Sequence, residues 1–108
     1  MTPEDRFDQL VSEFAGAGDV SPPAGGRRFG SQALRRHGRI FAMLAGDCLV
    51  VKLPRARVDE LVAAGDGVRF DAGKGVPMKE WFTLYADSAL SWSDLAREAL
   101  AFAAATTR

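Results

Sequence analysis

Residues Arg69 to Trp81 read RFDAGKGVPMKEW, a stretch that sets Lys74 between Gly73 and Gly75. A lysine flanked by glycines suits a phosphate cradle, because backbone amides can approach the anion while the ammonium neutralises it. The spacing argues against a nucleotide. A Walker-type loop would need glycine at 68, where Val68 stands, and Ser or Thr after Lys74, where Gly75 stands. The dinucleotide pattern fails as well, since Gly65 and Gly67 are followed by Phe70 where the third glycine belongs. No helix start follows the loop to receive a phosphate. The stretch therefore reads as a hairpin loop whose glycines permit unusual dihedrals. A small anionic ligand held by Lys52, Lys74 and Lys79 stays open as a weaker alternative, and it requires the loop to fold over the sheet.

A second group of cations carries the stronger signal. Arg27, Arg28, Arg35, Arg36 and Arg39 fall in one short stretch with Phe29 among them. On adjacent hairpin strands some of them would share a face and meet phosphates. The alternative is that arginines keep an exposed sheet edge soluble. Strand alternation weakens the patch, because Arg35 and Arg36 must point to opposite faces.

Other chemistry is sparse. His37 is the one histidine and Cys48 the one cysteine, so a histidine-rich metal site and an internal disulfide are both excluded. A Cys48–His37 nucleophile pair requires the chain to bring two separated residues together. No serine sits in a G-x-S-x-G elbow. The carboxylates fall where caps and solvated helix faces explain them. The sequence offers no catalytic constellation and calls for no cofactor or metal, so a non-enzyme is expected.

The elements that must position these residues follow from periodicity. Thr2-Pro3-Glu4-Asp5 starts a helix, with Thr2 as N-cap, Pro3 at the first helical position and Asp5 as the capping acid. Phe7, Leu10, Val11 and Phe14 form its buried face, and Gly16 and Gly18 end it. Asp19 to Gly26 reads as a loop. Strands are expected at FGSQALRR, RIFAMLA and CLVVKL, turned at His37-Gly38 and Gly46-Asp47, with Gly38 suited to positive φ. In the second strand Ile40, Ala42 and Leu44 would face one way and Phe41 and Met43 the other. Pro54 opens a helix with Val58, Leu61 and Val62 buried and an Arg55–Asp59 pair at i,i+4; Gly65 stops it. VRF and EWFTLYA follow as strands. Ser91 and Asp94 then cap a helix with the stripe Trp92, Leu95, Ala96, Ala99 and Ala103. Trp81 and Trp92 both read as core. The expected fold is α+β, one domain over residues 1–108, in the order α-β-β-β-α-β-β-α, with helices packed on a curved five-stranded antiparallel sheet.

Composition agrees with a globular chain: 47% hydrophobic and 26% charged over 108 residues. No basic segment precedes an apolar core at the N-terminus, and no apolar run approaches a membrane span. The lone cysteine adds to the expectation of a cytoplasmic protein. The net charge is zero, yet residues 20–58 carry eight basic side chains against Asp47 alone. Such asymmetry can steer an anionic partner.

The ordered set Phe29-Gly30, Gly38 before Phe41-Ala42, a strand ending at Lys52, Gly65, Phe70, Pro77-Met78 and Trp81 resembles the N-terminal domain of the TfoX (Sxy competence regulator) family. That domain is similar in fold to the YjbR/MmcQ group. The resemblance covers about residues 25–85, and the flanking helices match by pattern. It departs at Ser31, where a second glycine is usual, and at Glu80, where an aromatic is common. It implies an α+β fold, no established catalytic residues and a regulatory role; the YjbR group has been proposed to bind DNA. Full-length TfoX proteins carry a second, helical domain that is not seen here, so the competence role is not expected to carry over whole. The expectation is a non-catalytic module working through protein contacts, with sequence-tolerant nucleic-acid binding through the 27–39 hairpin as the alternative. The sequence leaves a homodimer open and points to no membrane partner.

Overall fold

The computed structural model describes residues 2–14, 20–21, 33–37, 39–70 and 79–106. Helix α1 (Pro3–Phe14) begins as its sequence dictates: the Asp5 amide donates to Thr2 Oγ1 at 3.0 Å, and the Thr2 amide donates back to Asp5 Oδ2 at 3.3 Å. This reciprocal box satisfies two donors that a helix start leaves without partners.

Six strands follow in one antiparallel sheet: β1 (Val20–Ser21), β2 (Ala33–Arg36), β3 (Arg39–Ala45), β4 (Cys48–Lys52), β5 (Gly67–Arg69) and β6 (Trp81–Leu84). Helix α2 (Arg55–Ala63) separates β4 from β5, and α3 (Trp92–Thr106) closes the chain. The five longer strands and three helices keep the expected order. The two-residue β1 adds an edge inside the stretch read as a loop, pairing Val20 with Arg36 and Ser21 with Arg35. Spatial order is β1-β2-β3-β4-β6-β5, so β6 inserts between β4 and β5.

Register decides which residues meet the helices. Leu34, Ala42, Val51 and Phe82 form one cross-strand row, and Leu44 with Leu49 belongs to the next row on that face. These side chains join Phe7, Leu10 and Phe14 of α1, Val58 and Leu61 of α2, and Trp92, Leu95, Ala96 and Ala99 of α3 in one core. The reverse face carries the row Ala33, Met43, Val50, Thr83 and Val68. Ala33 and Val50 are buried there, yet they stand outside the core cluster.

Two local features depart from simple alternation. Leu34 pairs with Ala42 but Arg35 pairs with Ile40, so Phe41 is an extra residue in β3. This bulge places Phe41 beside Ala42 in the core rather than opposite it, and its ring meets Phe14 at a centroid distance of 6.1 Å. At the following turn His37 takes φ +51°, a conformation that histidine tolerates better than most residues; Gly38, expected to take it, lies outside the described residues. The other hairpin behaves as read, with Gly46 at φ +60°.

Helix α2 ends in a Schellman motif. The Gly65 amide donates to the Val62 carbonyl and the Asp66 amide to the Leu61 carbonyl, each at 3.1 Å, with Gly65 at φ +83°. The expected Arg55–Asp59 pair gives way to a longer-range one: Asp59 accepts from Arg69 of β5. Arg69 shares the Phe82 row, which faces the helices, so α2 is tied to the strand it precedes.

Candidate functional site

The end of the sheet where β3 begins, β4 ends and β6 begins collects Arg36, Arg39, Lys52 and Lys79. Arg36 and Arg39 face each other across the His37 turn, and Lys52 pairs in register with Trp81, two residues from Lys79. The Leu53 amide donates to the Glu80 carbonyl at 3.0 Å, which closes this end between β4 and β6. Strands β3 and β6 are two positions apart in the sheet, so the arginine and lysine sets sit about 10 Å from each other. Two groups that looked independent in sequence thus meet at one rim. Arg27, Arg28 and Lys74 lie outside the described residues. The opposite end of the sheet carries Asp47, Asp66 and Asp87, at the β3–β4 turn, before β5 and after β6.

The cations are not equivalent. Arg39 and Lys79 are exposed, whereas Arg35, Arg36 and Lys52 are partly buried. Arg36 has its Nε and Nη1 atoms out of solvent, which leaves less of its guanidinium for a ligand. Arg35 pairs with Ile40 and belongs to the reverse face, while Arg36 shares a row with core-packed Val20, so the alternation expected between them holds.

Cys48 and His37 do not form a pair. Cys48 pairs with Ala45 at one end of β3, and His37 precedes Arg39 at the other. Six residue steps of strand separate those ends by about 20 Å, far beyond hydrogen-bond reach. Among the described residues, no three His, Cys, Asp or Glu side chains gather where they could hold a metal ion. No described helix is long and apolar enough to cross a membrane.

Trp81 corrects a sequence expectation. Phe82, completely buried, is the core residue of β6, and Trp81 lies on the reverse face, partly buried. The run Glu80-Trp81-Phe82-Thr83-Leu84 offers two aromatics of opposite parity, and only the pairing with Val51 decides which faces the helices. Continuing the alternation puts Tyr85 on the reverse face with Trp81 and Thr83. Val68, paired with Thr83, is its diagonal neighbour. Val68 and Tyr85 are the large apolar side chains left exposed among the described residues, each at 43%. This apolar corner escaped the sequence analysis; the alternation of Val68, Thr83 and Tyr85 across VRF and EWFTLYA was the signal available for it.

The helix face is closed by ion pairs. Arg57 of α2 donates through Nε and Nη2 to the two carboxylate oxygens of Glu98 on α3, at 2.9 and 3.2 Å, and through Nη1 to Glu60 at 3.1 Å. The hydrogen bonds it donates to Glu98 and then to Glu60 raise its pKa above the ordinary arginine value. At the α1–α3 junction the Arg6 guanidinium lies over the Trp92 ring, 4.1 Å from its centroid.

Comparison with family models, with curated proteins and with solved structures finds no match to this chain.

Proposed function

We propose that this chain is a non-catalytic regulatory module of the TfoX N-terminal type that acts through protein contacts at the β5–β6 corner. The observation that carries the reading is the pair Val68 and Tyr85, both 43% exposed and diagonal to one another on the face turned away from the helices. Apolar side chains set side by side on an open surface favour a protein partner, because covering them removes apolar area from water. Support for a non-catalytic role comes from the separation of Cys48 from His37. The resemblance in the stretch from Phe29 to Trp81 supports the family assignment. The test is a photo-crosslinking side chain placed at position 85 in the native host. The expected result is a discrete adduct with one protein, absent when the same group is placed at exposed Arg55, the first residue of α2. Equal labelling from both positions would overturn the choice of surface.

A second reading is favoured by one observation, the convergence of Arg36, Arg39, Lys52 and Lys79 on one rim. This is weak, sequence-tolerant nucleic-acid binding along the strand ends. Amide NMR with a short DNA duplex at low and near-physiological salt tests it. Shifts confined to residues 35–39, 52 and 79 that fade with salt support this reading; no shift at either salt removes it.

A further inference from the structure

The groove between α1 and the start of α3 has a chemistry that neither surface above uses. It encloses about 260 Å³ and is bordered by Arg6, Gln9, Glu13, Ser91, Trp92 and Ser93. We infer that it is a binding site for a small carboxylate, received edge-on by the Arg6 guanidinium. The guanidinium is held over the ring of Trp92, which is itself buried, with Arg6 partly exposed. A cation–π contact with a ring uses no acceptor oxygen, so it leaves N–H donors of the fork for paired hydrogen bonds to a carboxylate. Among the described residues no carboxylate pairs with Arg6. The one acid bordering the groove, Glu13, is already engaged: it accepts from Ser93 Oγ and pairs with Arg97 at 2.5 Å.

The remaining groups fit the same ligand class. Gln9 lies one turn beyond Arg6 on α1, so its amide can donate to the same guest. Ser91 Oγ accepts the Asp94 amide at 3.2 Å, which leaves its hydroxyl proton free to turn outward. A single guanidinium, with Glu13 nearby, matches one negative charge better than the two of a phosphate. The volume lies just under the range of drug-sized pockets, which points to a guest of metabolite size or to the terminal carboxylate of a peptide.

The experiment uses the whole chain, labelled with nitrogen-15, and follows the Trp92 indole N–H, assigned by comparison with Trp81→Phe. Benzoate is the first probe; for a ligand so small a dissociation constant on the order of 10 mM is expected. Saturable movement of the Trp92 resonance, lost in Arg6→Gln and weakened at least about tenfold in Arg6→Lys, which keeps the charge but not the fork, supports the site. The lysine variant also keeps a cation over the ring, so the comparison survives if Arg6→Gln fails to fold. An acetylated tripeptide acid and its C-terminal amide separate the two sources. An acid that binds more tightly than benzoate, with a silent amide, assigns a chain terminus; benzoate alone assigns a free acid. No movement with either acid, or equal movement in Arg6→Gln, overturns the proposal.

Discussion

Replacing Gly67 by alanine tests the β5–β6 corner at its tightest point. A Cβ built on Gly67 would stand 2.0 Å from the Thr83 carbonyl oxygen and 2.5 Å from Phe82 Cζ. The first is roughly 1.5 Å inside ordinary contact. Neither neighbour can swing aside, since one is backbone of β6, paired on both sides by β4 and β5, and the other is a completely buried ring. Strand β5 must therefore shift outward. Overpacking of this kind costs typically 1–3 kcal/mol, or about 4–12 °C in Tm for a chain of this length. The shift also strains the bonds that close the strand, from the Phe70 amide to the Trp81 carbonyl at 2.8 Å and from the Tyr85 amide to the Asp66 carbonyl at 3.0 Å. Urea unfolding gives the global loss, and hydrogen exchange at the Phe70 and Tyr85 amides gives the local one. Gly65 supplies the control, because a Cβ there meets nothing within 4 Å and only φ +83° opposes substitution. Gly65→Ala should cost about 1 kcal/mol and Gly65→Asn less, since asparagine tolerates that region. At position 67 asparagine should be worse than alanine. A Gly67→Ala protein within about 0.5 kcal/mol of wild type, with both amides still protected, would refute the reasoning.

Three further outcomes follow from the same contacts. Phe82→Ala should lose about 3–5 kcal/mol in urea, because the ring is wholly buried among the residues the helices cover. Glu98→Gln should lose only about 0.2–1 kcal/mol, since the side chains of the Arg57–Glu98 pair are 36% and 39% exposed and solvent screens them. The raised pKa of Arg57 adds stability that is complete below the ordinary arginine value and lost only as pH rises above it. That contribution should not change between pH 6 and pH 9, which urea midpoints at the two pH values will check. If the basic rim meets three phosphates, affinity for duplex DNA should fall about 40-fold between 50 and 200 mM salt; a flat response in a fluorescence anisotropy titration would remove electrostatic binding.

Most of the architecture was legible because its signals are local. Thr2 with Asp5, Ser91 with Asp94 and Gly65 mark helix ends by hydrogen bonds that span a few residues, and each was found in place. The apolar stripes of α1, α2 and α3 were read from a 3.6-residue period that geometry enforces. What escaped depends on pairing between distant segments. Phe82 displaced Trp81 from the core because β6 pairs with β4 in a register that no property of EWFTLYA alone specifies. Asp59 left Arg55 for Arg69 because β5 returns beside α2. The meeting of the arginine and lysine groups required β6 to insert between β4 and β5, a feature of sheet order and not of spacing.

The bulge at Phe41 has the longest reach of these features, and it sharpens the nucleic-acid reading into a comparison of two arginines. The extra residue turns Ile40 to the reverse face, opposite Arg35, which alternation after Leu34 already places there, and it lets Phe41 meet Phe14. Arg39, one residue earlier in β3, stays at the rim and exposed. Its neighbours there are Arg36 across the turn and Lys79 near the start of β6. A polyanion following the strand ends would touch Arg39 and Lys79 and pass Arg35 by, whereas one lying along the reverse face beside Ile40 would do the opposite. Arg39→Glu should therefore weaken DNA binding several-fold more than Arg35→Glu, and Arg39→Glu with Lys79→Glu should flatten the salt dependence. Anisotropy titrations of the three proteins at one low salt concentration decide it. A larger loss from Arg35→Glu would move the surface to the reverse face beside Trp81, and Arg39 and Lys79 would then have no part in recognition.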